Sequence, residues 1–322
     1  MKLLITGGAG YIGSHTVRYA QNLGHEVVVI DNFSTGHQWA LNDCEVLDVD
    51  LVDRDNLDKK LKRRQFDGVI HFAAKSLVSE SCNKPNMYFN NNIAGTINLL
   101  DLMLMNDIKN IVFSSSAAIF GSPQTNKIDE NHPKNPINPY GQSKLMVEKI
   151  LEEICKAHDL NACCLRYFNA AGADSSEEIG EAHDPETHLI PNVLKSLLSD
   201  DELLIYGNDY NTRDGTCIRD YIHVNDLAKA HLLAMKYNNE SKGFSAFNLG
   251  NGEGFSVLDI IKYSSSITGK KLNYKFAPRR IGDPPTLVAN NMLAKKKLKW
   301  EPNNSSLHEI ILSAWKWHLK YN

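Results

Sequence analysis

The sequence of 322 residues predicts an α/β protein with a doubly wound parallel sheet, and three observations support this fold class. Short apolar runs alternate with helix-length stretches in the first half, which is typical of βαβ units whose strands are buried on both faces. The first apolar run leads directly into a glycine-rich turn and a helix. Beyond about residue 172 the pattern becomes irregular, which predicts a smaller mixed α/β part over the open end of the sheet, where ligands bind in such folds.

The individual elements follow from these patterns in chain order. In the first half, the predicted strands are the apolar runs at residues 3–5, 26–30, 68–72, 111–113 and 162–167, and the predicted helices cover 13–23, 53–64, 87–106 and 140–158. An acid-rich loop over 174–186 precedes helices at 190–198, 224–237, 257–268 and 307–319, with short strands at 203–206, 246–249 and 272–276. We therefore predict an N-terminal domain of residues 1–172 and a C-terminal domain of residues 173–322, with chain crossovers between the two.

The composition excludes several classes of function. With 42% hydrophobic and 23% charged residues the chain resembles an ordinary globular protein, and a net charge of −3 leaves no basic field for nucleic acid. No apolar run reaches the roughly 18 residues that a membrane span requires, and Met1-Lys2 leads straight into a strand without room for a signal peptide. The six cysteines form no CxxC pair and the twelve histidines no HExxH motif, so we expect free thiols, no metal site and a cytoplasmic protein.

The glycine-rich turn has the signature of a dinucleotide site. Gly8, Gly10 and Gly13 satisfy G-x-G-x-x-G, and Gly7, Gly10 and Gly13 satisfy the wider G-x-x-G-x-x-G. Glycines at these positions permit a tight turn and let the backbone approach a pyrophosphate at the helix N-terminus. Because a strand precedes the turn and a helix follows it, the motif predicts a Rossmann-type domain. The alternative is a turn of purely structural importance.

Two acids after the next strands refine this prediction. Asp31 ends the second strand about 20 residues downstream, where a carboxylate accepts hydrogen bonds from the adenosine ribose and repels a 2′-phosphate, so NAD is favoured over NADP. Asp50 follows a third short strand and could reach the adenine amine. The alternatives are a solvated strand end for Asp31 and an ordinary loop acid for Asp50.

Three further residues form a candidate catalytic group. Ser116 ends a serine triplet at the carboxyl end of a strand, and Tyr140 and Lys144 lie one turn apart on one face of a helix. Together they supply a hydroxyl to hold a substrate oxygen, a phenol to exchange its proton and a cation to tune the phenol. The alternative is that Tyr140 and Lys144 are an exposed pair on the helix surface and that the serine triplet is a helix cap.

The energetics show what this group demands of its surroundings. A tyrosine pKa near 10 leaves about 0.1% phenolate at neutral pH, and lowering that pKa by ~3 units requires about 4 kcal/mol. One ammonium at ~4 Å in water contributes only about 1 kcal/mol. Lys144 therefore suffices only in a site that excludes water, or with a second positive charge such as an oxidised nicotinamide.

Several segments resemble the extended short-chain dehydrogenase/reductases. They are residues 6–15, 31–32, 71–74, 114–117 and 140–144. Residues 166–170, 215–224 and 276–280, with Gly282 and Asp283, make the chain similar to the UDP-glucose 4-epimerases over essentially its whole length. The resemblance implies NAD-dependent interconversion of UDP-glucose and UDP-galactose in galactose metabolism, with an NAD-binding Rossmann domain and a UDP-sugar-binding C-terminal domain.

The resemblance also implies residue roles. Tyr140 would take the proton of the sugar C4 hydroxyl while hydride passes to bound NAD, Lys144 would bind the nicotinamide ribose and depress the tyrosine pKa, and Ser116 would hydrogen-bond the C4 oxygen. The 4-ketose would turn over and take its hydride back on the other face. The cofactor contacts implied are Gly7, Gly10, Tyr11, Ile12, Gly13, Asp31, Asn32, Phe33, Ser34, Thr35, Gly36, Asp50, Leu51, Phe72, Ala73, Ala74, Ser76, Asn91, Ser114, Tyr140, Lys144 and Phe168.

On the substrate side the resemblance implies a UDP-sugar held by a second set of residues. Tyr206 would stack on uracil, Arg219 and Arg280 would grip the diphosphate, Asp283 would hold the uridine ribose, and Asn169 would contact the diphosphate or sugar. The full substrate set is Ser116, Tyr140, Asn169, His188, Leu189, Leu204, Tyr206, Arg219, Arg280, Asp283 and Leu287. The alternative for the charged members is ion pairing of Arg219 with Asp220 and of Arg280 with Asp283.

The sequence departs from the family at three positions. His188 stands where members carry Asn, which puts that diphosphate contact in doubt, and a cofactor-contacting lysine is displaced so that Lys75 comes one position early and Ser76 takes its place. Leu287 lies where side-chain size helps decide whether N-acetylated sugars fit, and leucine is intermediate. The resemblance further implies a homodimer through helices 87–106 and 144–158.

Two other functions compete with epimerisation. A nucleotide-sugar 4,6-dehydratase or decarboxylase of the same family needs an acid directly after the hydroxyl residue, but Ala117 and Ala118 follow Ser116 here. A non-catalytic NAD-binding protein would not need Tyr140, Lys144 and Ser116 together.

Overall fold

The computed structural model describes residues 1–280 and 283–321 and has a seven-stranded parallel sheet at its centre. In chain order the strands are β1 Lys2–Thr6, β2 Glu26–Asp31, β3 Glu45–Asp48, β4 Gly68–His71, β5 Asn110–Ser116, β6 Asn161–Tyr167, β7 Asn169–Ala171, β8 Leu203–Tyr206, β9 Ile218–Arg219, β10 Tyr221–His223, β11 Phe244–Leu249, β12 Phe255–Ser256, β13 Tyr274–Ala277 and β14 Thr286–Leu287. The large sheet has the order β11-β6-β5-β4-β1-β2-β3. The order reverses between β1 and β4, and at such a switch point ligands bind.

Helices cover both faces of this sheet. The helices are α1 Tyr11–Asn22, α2 Arg54–Leu61, α3 Val78–Asn83, α4 Pro85–Phe89, α5 Gly95–Met105, α6 Pro139–Ala157, α7 Leu189–Ser199, α8 Val224–Glu240, α9 Val257–Thr268, α10 Met292–Leu298 and α11 Leu307–Tyr321. A π-helical turn at Asn90–Ala94 joins α4 to α5, and 3₁₀ turns lie at Gln38–Ala40 and Ala117–Phe120. The doubly wound α/β class predicted from the sequence is confirmed.

Alternation along the strands divides the apolar core into two layers. On β1, Leu3 and Ile5 face a layer completed by α1, α8 and α10, whereas Leu4 faces a layer completed by α2, α5 and α6. Side chains of a strand point alternately to its two faces, so a continuous apolar run is required wherever both faces are covered. A third apolar cluster joins α7, α9 and α11 and lies in the C-terminal part.

Two details differ from the sequence prediction. The helix predicted at 87–106 is confirmed in position, but a π-helical turn at Asn90–Ala94 interrupts its regular α-helical geometry between α4 and α5. The strand predicted at 246–249 forms β11. It pairs with β6 in the large sheet, although it lies in the part of the chain beyond residue 172 that was predicted to be the C-terminal domain. The division of the chain at residue 172 stays a prediction. Among the described residues, no helix combines the length and the apolar character that crossing a bilayer requires.

A buried ion pair connects β6 to α6 behind the end of the sheet. Arg166 donates from Nε to Glu148 Oε1 at 2.9 Å and from Nη2 to Glu148 Oε2 at 2.6 Å. The two side chains are only 3% and 4% exposed. Ser115 on β5 donates to Glu148 Oε1 at 2.6 Å, so one carboxylate joins β5, β6 and α6.

We expect Glu148→Gln to lower the free energy of unfolding by about 3–5 kcal/mol, because it leaves the Arg166 charge buried without its partner. Urea unfolding curves measure this as a lower midpoint at unchanged slope. Glu152→Gln is the matched control on the same helix, since Glu152 forms an exposed pair with Lys156, and its midpoint should stay near that of the unmodified protein. Equal midpoints for the two variants would contradict the argument.

Candidate active site

The turn between β1 and α1 is built for close backbone approach. Gly7 has φ +70°, and a Cβ on Gly13 would lie 2.1 Å from the Gly7 carbonyl oxygen, so any side chain there would force the turn apart. Gly10 caps α1 without a side-chain hydrogen bond, and the first turn of α1 carries no acid. The helix therefore offers its backbone N–H groups and the positive end of its dipole to an anion.

An open cleft with a cavity volume of about 110 Å³ runs across the carboxyl ends of β1, β2 and β4. It is lined by Gly7, Gly10, Ile30, Asp31, Asn32, Ser34, Thr35, Gly36, Val49, Asp50, Leu51, Phe72, Ala73, Ala74, Lys75 and Asn91. Most of these residues are among those that the sequence analysis assigned to the cofactor. The structure adds three residues that carry no motif: Ile30 within β2, Val49 directly after β3, and Lys75 in the segment after β4.

The acids predicted for the adenosine end lie at this cleft. Asp31 is buried and accepts hydrogen bonds from the backbone N–H of Ala9 at 2.9 Å and of Phe33 at 2.9 Å. Burial raises its pKa, and these two hydrogen bonds oppose the rise. Asp50 accepts from Asn32 Nδ2 at 2.8 Å, which ties the end of β2 to the loop after β3. The cleft therefore ends in two anchored carboxylates with further acceptor capacity.

Other predicted cofactor residues lie outside the cleft lining. They are Tyr11, Ile12, Gly13, Phe33, Ser76, Ser114 and Phe168, besides the catalytic pair Tyr140 and Lys144. The Tyr11 hydroxyl donates to the Gly172 carbonyl at 2.6 Å, and the Ser114 hydroxyl forms a short hydrogen bond with that of Tyr167. Lys75, not Ser76, lines the cleft, so the displaced lysine remains beside it despite its shift in sequence.

Local signals start α6 at the position that carries the tyrosine. Asn138 caps the helix by accepting from the Gly141 N–H at 2.8 Å, and Pro139 occupies the first helical position, where its missing N–H is not needed. A Cβ on Gly141 would lie 2.5 Å from the Ala118 carbonyl oxygen. Glycine thus lets the start of α6 approach the turn after β5, which brings Tyr140 beside Ser116.

The predicted catalytic residues do come together. Lys144 Nζ donates to the Ser114 carbonyl at 2.7 Å and lies 5.8 Å from the centroid of the Tyr140 ring. Burial lowers the pKa of Lys144 to about 7. Burial raises the pKa of Tyr140, and a hydrogen bond with Ser116 opposes that rise. Lys144 is buried whereas Tyr140 and Ser116 are half-buried, and desolvation favours the neutral form of both titratable groups.

Sequence reasoning missed the residue that joins the cleft to the catalytic helix. Asn92 in the π-helical turn donates to the Lys75 carbonyl at 3.0 Å and to the Ser143 hydroxyl at 3.0 Å, and it accepts from the Lys75 N–H at 2.8 Å. Ser143 in turn donates to the Tyr140 carbonyl at 2.7 Å. A run of three asparagines at 90–92 inside a helix pattern was the available signal, because asparagine disfavours helix interiors.

The charged residues assigned to the substrate have different partners from those considered in the sequence analysis. The pairing of Arg219 with Asp220 and of Arg280 with Asp283 is wrong: Arg219 Nη2 lies 2.6 Å from Asp283 Oδ1, and Arg219 is also held by the Ile218 and Pro284 carbonyls. The exposed Arg280 guanidinium lies 4.2 Å from the centroid of the Tyr206 ring. Gly282 of the family motif lies outside the described residues.

The remaining substrate candidates are spread over the C-terminal part. Asn169 on β7 donates to the Asp220 carbonyl at 2.8 Å, and Leu287 on β14 packs with Phe168 against the apolar cluster around Ala117. Leu204 is exposed on β8, and Leu189 is half-buried at the start of α7. His188 Nδ1 faces the Glu181 carboxylate at 2.6 Å.

Comparisons with known proteins agree with this geometry. A family model described as the NAD dependent epimerase/dehydratase family matches residues 3–250. A relative from Halalkalibacterium halodurans, named UDP-glucose 4-epimerase, is 48% identical over 322 residues, which cover 100% of this chain and 96% of the relative.

Two solved structures share the whole fold. UDP-glucose 4-epimerase from Bifidobacterium longum, in complex with NAD+ and UDP, is 36% identical with a TM-score of 0.95 and covers 99% of this chain and 98% of its own. The UDP-Glc/GlcNAc 4-epimerase from Campylobacter jejuni is 40% identical with a TM-score of 0.86 and covers 99% of each chain. The family predicted from the sequence motifs is confirmed, and the chain belongs to the NAD dependent epimerase/dehydratase family, among the UDP-glucose 4-epimerases.

Proposed function

We propose that this chain interconverts UDP-glucose and UDP-galactose by reversible oxidation at C4 of the sugar. The observation that carries the proposal is the group of buried Lys144 with half-buried Tyr140 and Ser116 at the end of β5, next to the strand ends that form the cleft. The dehydratase alternative lacks an acid after Ser116, where Ala117 and Ala118 stand. A binding protein without catalysis would gain nothing from a desolvated lysine beside a tyrosine.

The cleft fits NAD on three counts. The uncapped start of α1 suits a pyrophosphate, the Asp31 carboxylate suits the adenosine ribose hydroxyls and disfavours a 2′-phosphate, and Phe72–Ala74 with Asn91 line the side nearest the catalytic helix. NAD in this position supplies an acceptor and a donor of hydride, and its oxidised ring brings a positive charge.

The protein's own residues then handle the proton. Ser116 holds the C4 oxygen and Tyr140 takes its proton, which returns to that oxygen when the sugar is reduced again from its other face. Burial holds the proton on Tyr140 in the isolated protein. A second positive charge beside the phenol is therefore needed before Tyr140 can act as a base, and Lys144 positions the phenol through its bond to the Ser114 carbonyl.

The substrate's nucleotide lies, in this proposal, against the C-terminal part. Arg219 is largely buried and already engaged with Asp283 and two carbonyls, so its role is to hold the segment that carries Asp283. Arg280 is exposed and stacked on Tyr206, and it is the cation that is free to turn toward a diphosphate. Asn169, Leu189, Leu204 and Leu287 complete the proposed contacts.

We expect Tyr140→Phe to lower the rate of UDP-glucose formation from UDP-galactose by roughly 10²–10⁴-fold, because it removes the group that exchanges the proton. The assay uses purified protein without added NAD, and bound NAD is measured separately after denaturation. The variant should retain its NAD.

Tyr263→Phe is the matched control, since Tyr263 is exposed on α9, and its rate should not change. An unchanged rate for Tyr140→Phe would reject the assigned base. A 4-keto-6-deoxy product from the unmodified protein would favour the dehydratase instead.

We propose that Leu287 limits the space at the sugar and that the enzyme accepts UDP-N-acetylhexosamines when this space grows. Leu287→Ala should raise the ratio of kcat/KM for UDP-N-acetylgalactosamine to that for UDP-galactose by roughly tenfold. Leu287→Tyr should lower the ratio. Leu319→Ala, on the exposed side of α11, is the control. A ratio that does not follow side-chain size would contradict the proposal.

We also propose that the protein is a cytoplasmic homodimer. Ile97 and Met105 on α5 and Met146 on α6 expose apolar side chains, with exposed fractions of 41%, 62% and 40%. A four-helix contact between two copies would bury them. The six cysteines are all free, which suits a reducing compartment.

Light scattering coupled to size exclusion tests the dimer. We expect Ile97→Glu with Met146→Glu to shift the mass from two chains to one, because charges at an apolar interface must be desolvated. Leu319→Glu should leave the dimer intact, as α11 lies outside the proposed contact. A single-chain mass for the unmodified protein would overturn this proposal.

A further inference from the structure

The loop before α7 carries four possible metal ligands in the spacing E-x-H-x-x-E-x-H. They are Glu181, His183, Glu186 and His188, and one donor atom from each lies within 4.8 Å of all the others. This spacing differs from the CxxC and HExxH patterns on which the sequence analysis based its expectation of no metal site.

Three of the distances between donors are close to those around a first-row metal ion. Four donors arranged tetrahedrally around zinc, with bonds of ~2.0–2.1 Å, lie ~3.3 Å apart. Glu181 Oε1 lies 3.2 Å from His183 Nδ1, and Glu186 Oε1 lies 3.4 Å from His188 Nδ1 and 3.8 Å from His183 Nδ1. Glu181 Oε1 and His188 Nδ1, at 2.6 Å, are the pair that would have to separate.

Burial indicates that the cluster serves a ligand and not only its own ion pairs. The side chains of Glu181 and Glu186 are each 4% exposed. Glu181 Oε1, His183 Nδ1 and Glu186 Oε2 are buried and make no hydrogen bond of acceptable geometry within residues 1–280 and 283–321, although Glu181 Oε1 lies within ion-pair distance of both histidines. Buried polar atoms without a well-formed hydrogen bond are costly, and a cation at the centre of the cluster would satisfy Glu181 Oε1 and His183 Nδ1.

We propose that Glu181, His183, Glu186 and His188 bind one zinc ion in a closed, four-coordinate structural site. Two imidazole nitrogens and two carboxylate oxygens are a donor set that zinc accepts, and the two carboxylates neutralise its charge. Because the protein supplies all four ligands, no position remains open for catalysis. His188, which replaces the family's Asn, then holds the metal instead of the substrate's diphosphate.

The position of the cluster indicates which elements a bound metal would connect. The His183 ring packs edge-on against Tyr11 at 6.2 Å, and the Ala182 carbonyl bonds to His37 Nε2 at 2.8 Å, so the loop lies against the start of α1 and the loop after β2. Arg18 on α1 holds an earlier part of the loop through Glu178 at 2.8 Å. His188 runs directly into α7, which packs in the C-terminal core. The ion would therefore tie α7 to the dinucleotide helix.

The competing explanation is that the cluster binds no metal and that its histidines are protonated instead. In that case His183 and His188 are both charged and pair with the two carboxylates. Burial lowers the pKa of His183, but the Glu181 and Glu186 carboxylates raise it to about 9. The two explanations differ in metal content, which can be measured directly.

The test uses the full-length protein purified with its own cofactor content. Elemental analysis should find one zinc per chain, and protein stripped with a chelator should regain one equivalent of added zinc with a rise in Tm. Added Co²⁺ should give the visible d–d bands of a tetrahedral site. His183→Ala and His188→Ala should each lose the zinc, whereas His308→Ala, an exposed histidine beside Glu309, should keep it.

The stripped unmodified protein keeps this test valid if a variant fails to fold. Absence of zinc after purification, together with no Co²⁺ bands and no zinc-dependent rise in Tm, would overturn the proposal in favour of proton-mediated pairing. Zinc that persists in both His183→Ala and His188→Ala would also overturn it. Neither result depends on epimerase activity, because Tyr140, Ser116 and Lys144 lie outside the cluster.

Discussion

The active site depends on one hydrogen bond, from the Lys144 ammonium to the Ser114 carbonyl. It joins the first turns of α6 to the carboxyl end of β5, and these two elements carry Tyr140 and Ser116. The bond is 2.7 Å long in surroundings that exclude water, where it is stronger than on the surface. The same burial lowers the pKa of Lys144 to about 7, so at neutral pH the Lys144 side chain is close to losing its proton and its charge. A desolvated lysine is costly, and strongly perturbed pKa values of this kind cluster at functional sites.

The layer behind this bond keeps its two elements in register. Glu148, one turn further along α6, accepts hydrogen bonds from Ser115 on β5 and from Arg166 on β6. Ser115, the residue next to Ser114, is therefore anchored to the same helix as Lys144. On the other side Asn92 joins the Lys75 loop to Ser143, which bonds to the Tyr140 carbonyl. The cleft and Tyr140, the proposed catalytic residue, are therefore connected through a π-helical turn, a feature often found at functional sites.

The residues of the C-terminal part that are proposed to bind the substrate are held in a different way. There the charged side chains are held by backbone carbonyls, by each other and by aromatic rings, as Arg219 with Asp283 and Arg280 with Tyr206 show. Asp220, next to Arg219, is fully buried and accepts from the backbone N–H groups of Asn251, Gly252 and Ala289. Such a framework fixes loops while leaving exposed cations able to turn toward an anionic ligand. The loop over 181–188 connects this half to the start of α1.

Local patterns in the sequence determined the parallel sheet, the glycine turn, Asp31 and the helical pairing of Tyr140 with Lys144, because each depends on residues close together in the chain. The period of apolar residues and the chemistry of a turn can be read over a few positions. Tertiary structure alone decided the entry of β11 into the large sheet, the pairing of Arg219 with Asp283 and the meeting of Glu181 with His188. In these cases the sequence offered several possible partners of equal charge or equal strand propensity. Packing between segments that are distant in sequence selects among them, and a local pattern of residues carries no information about that packing.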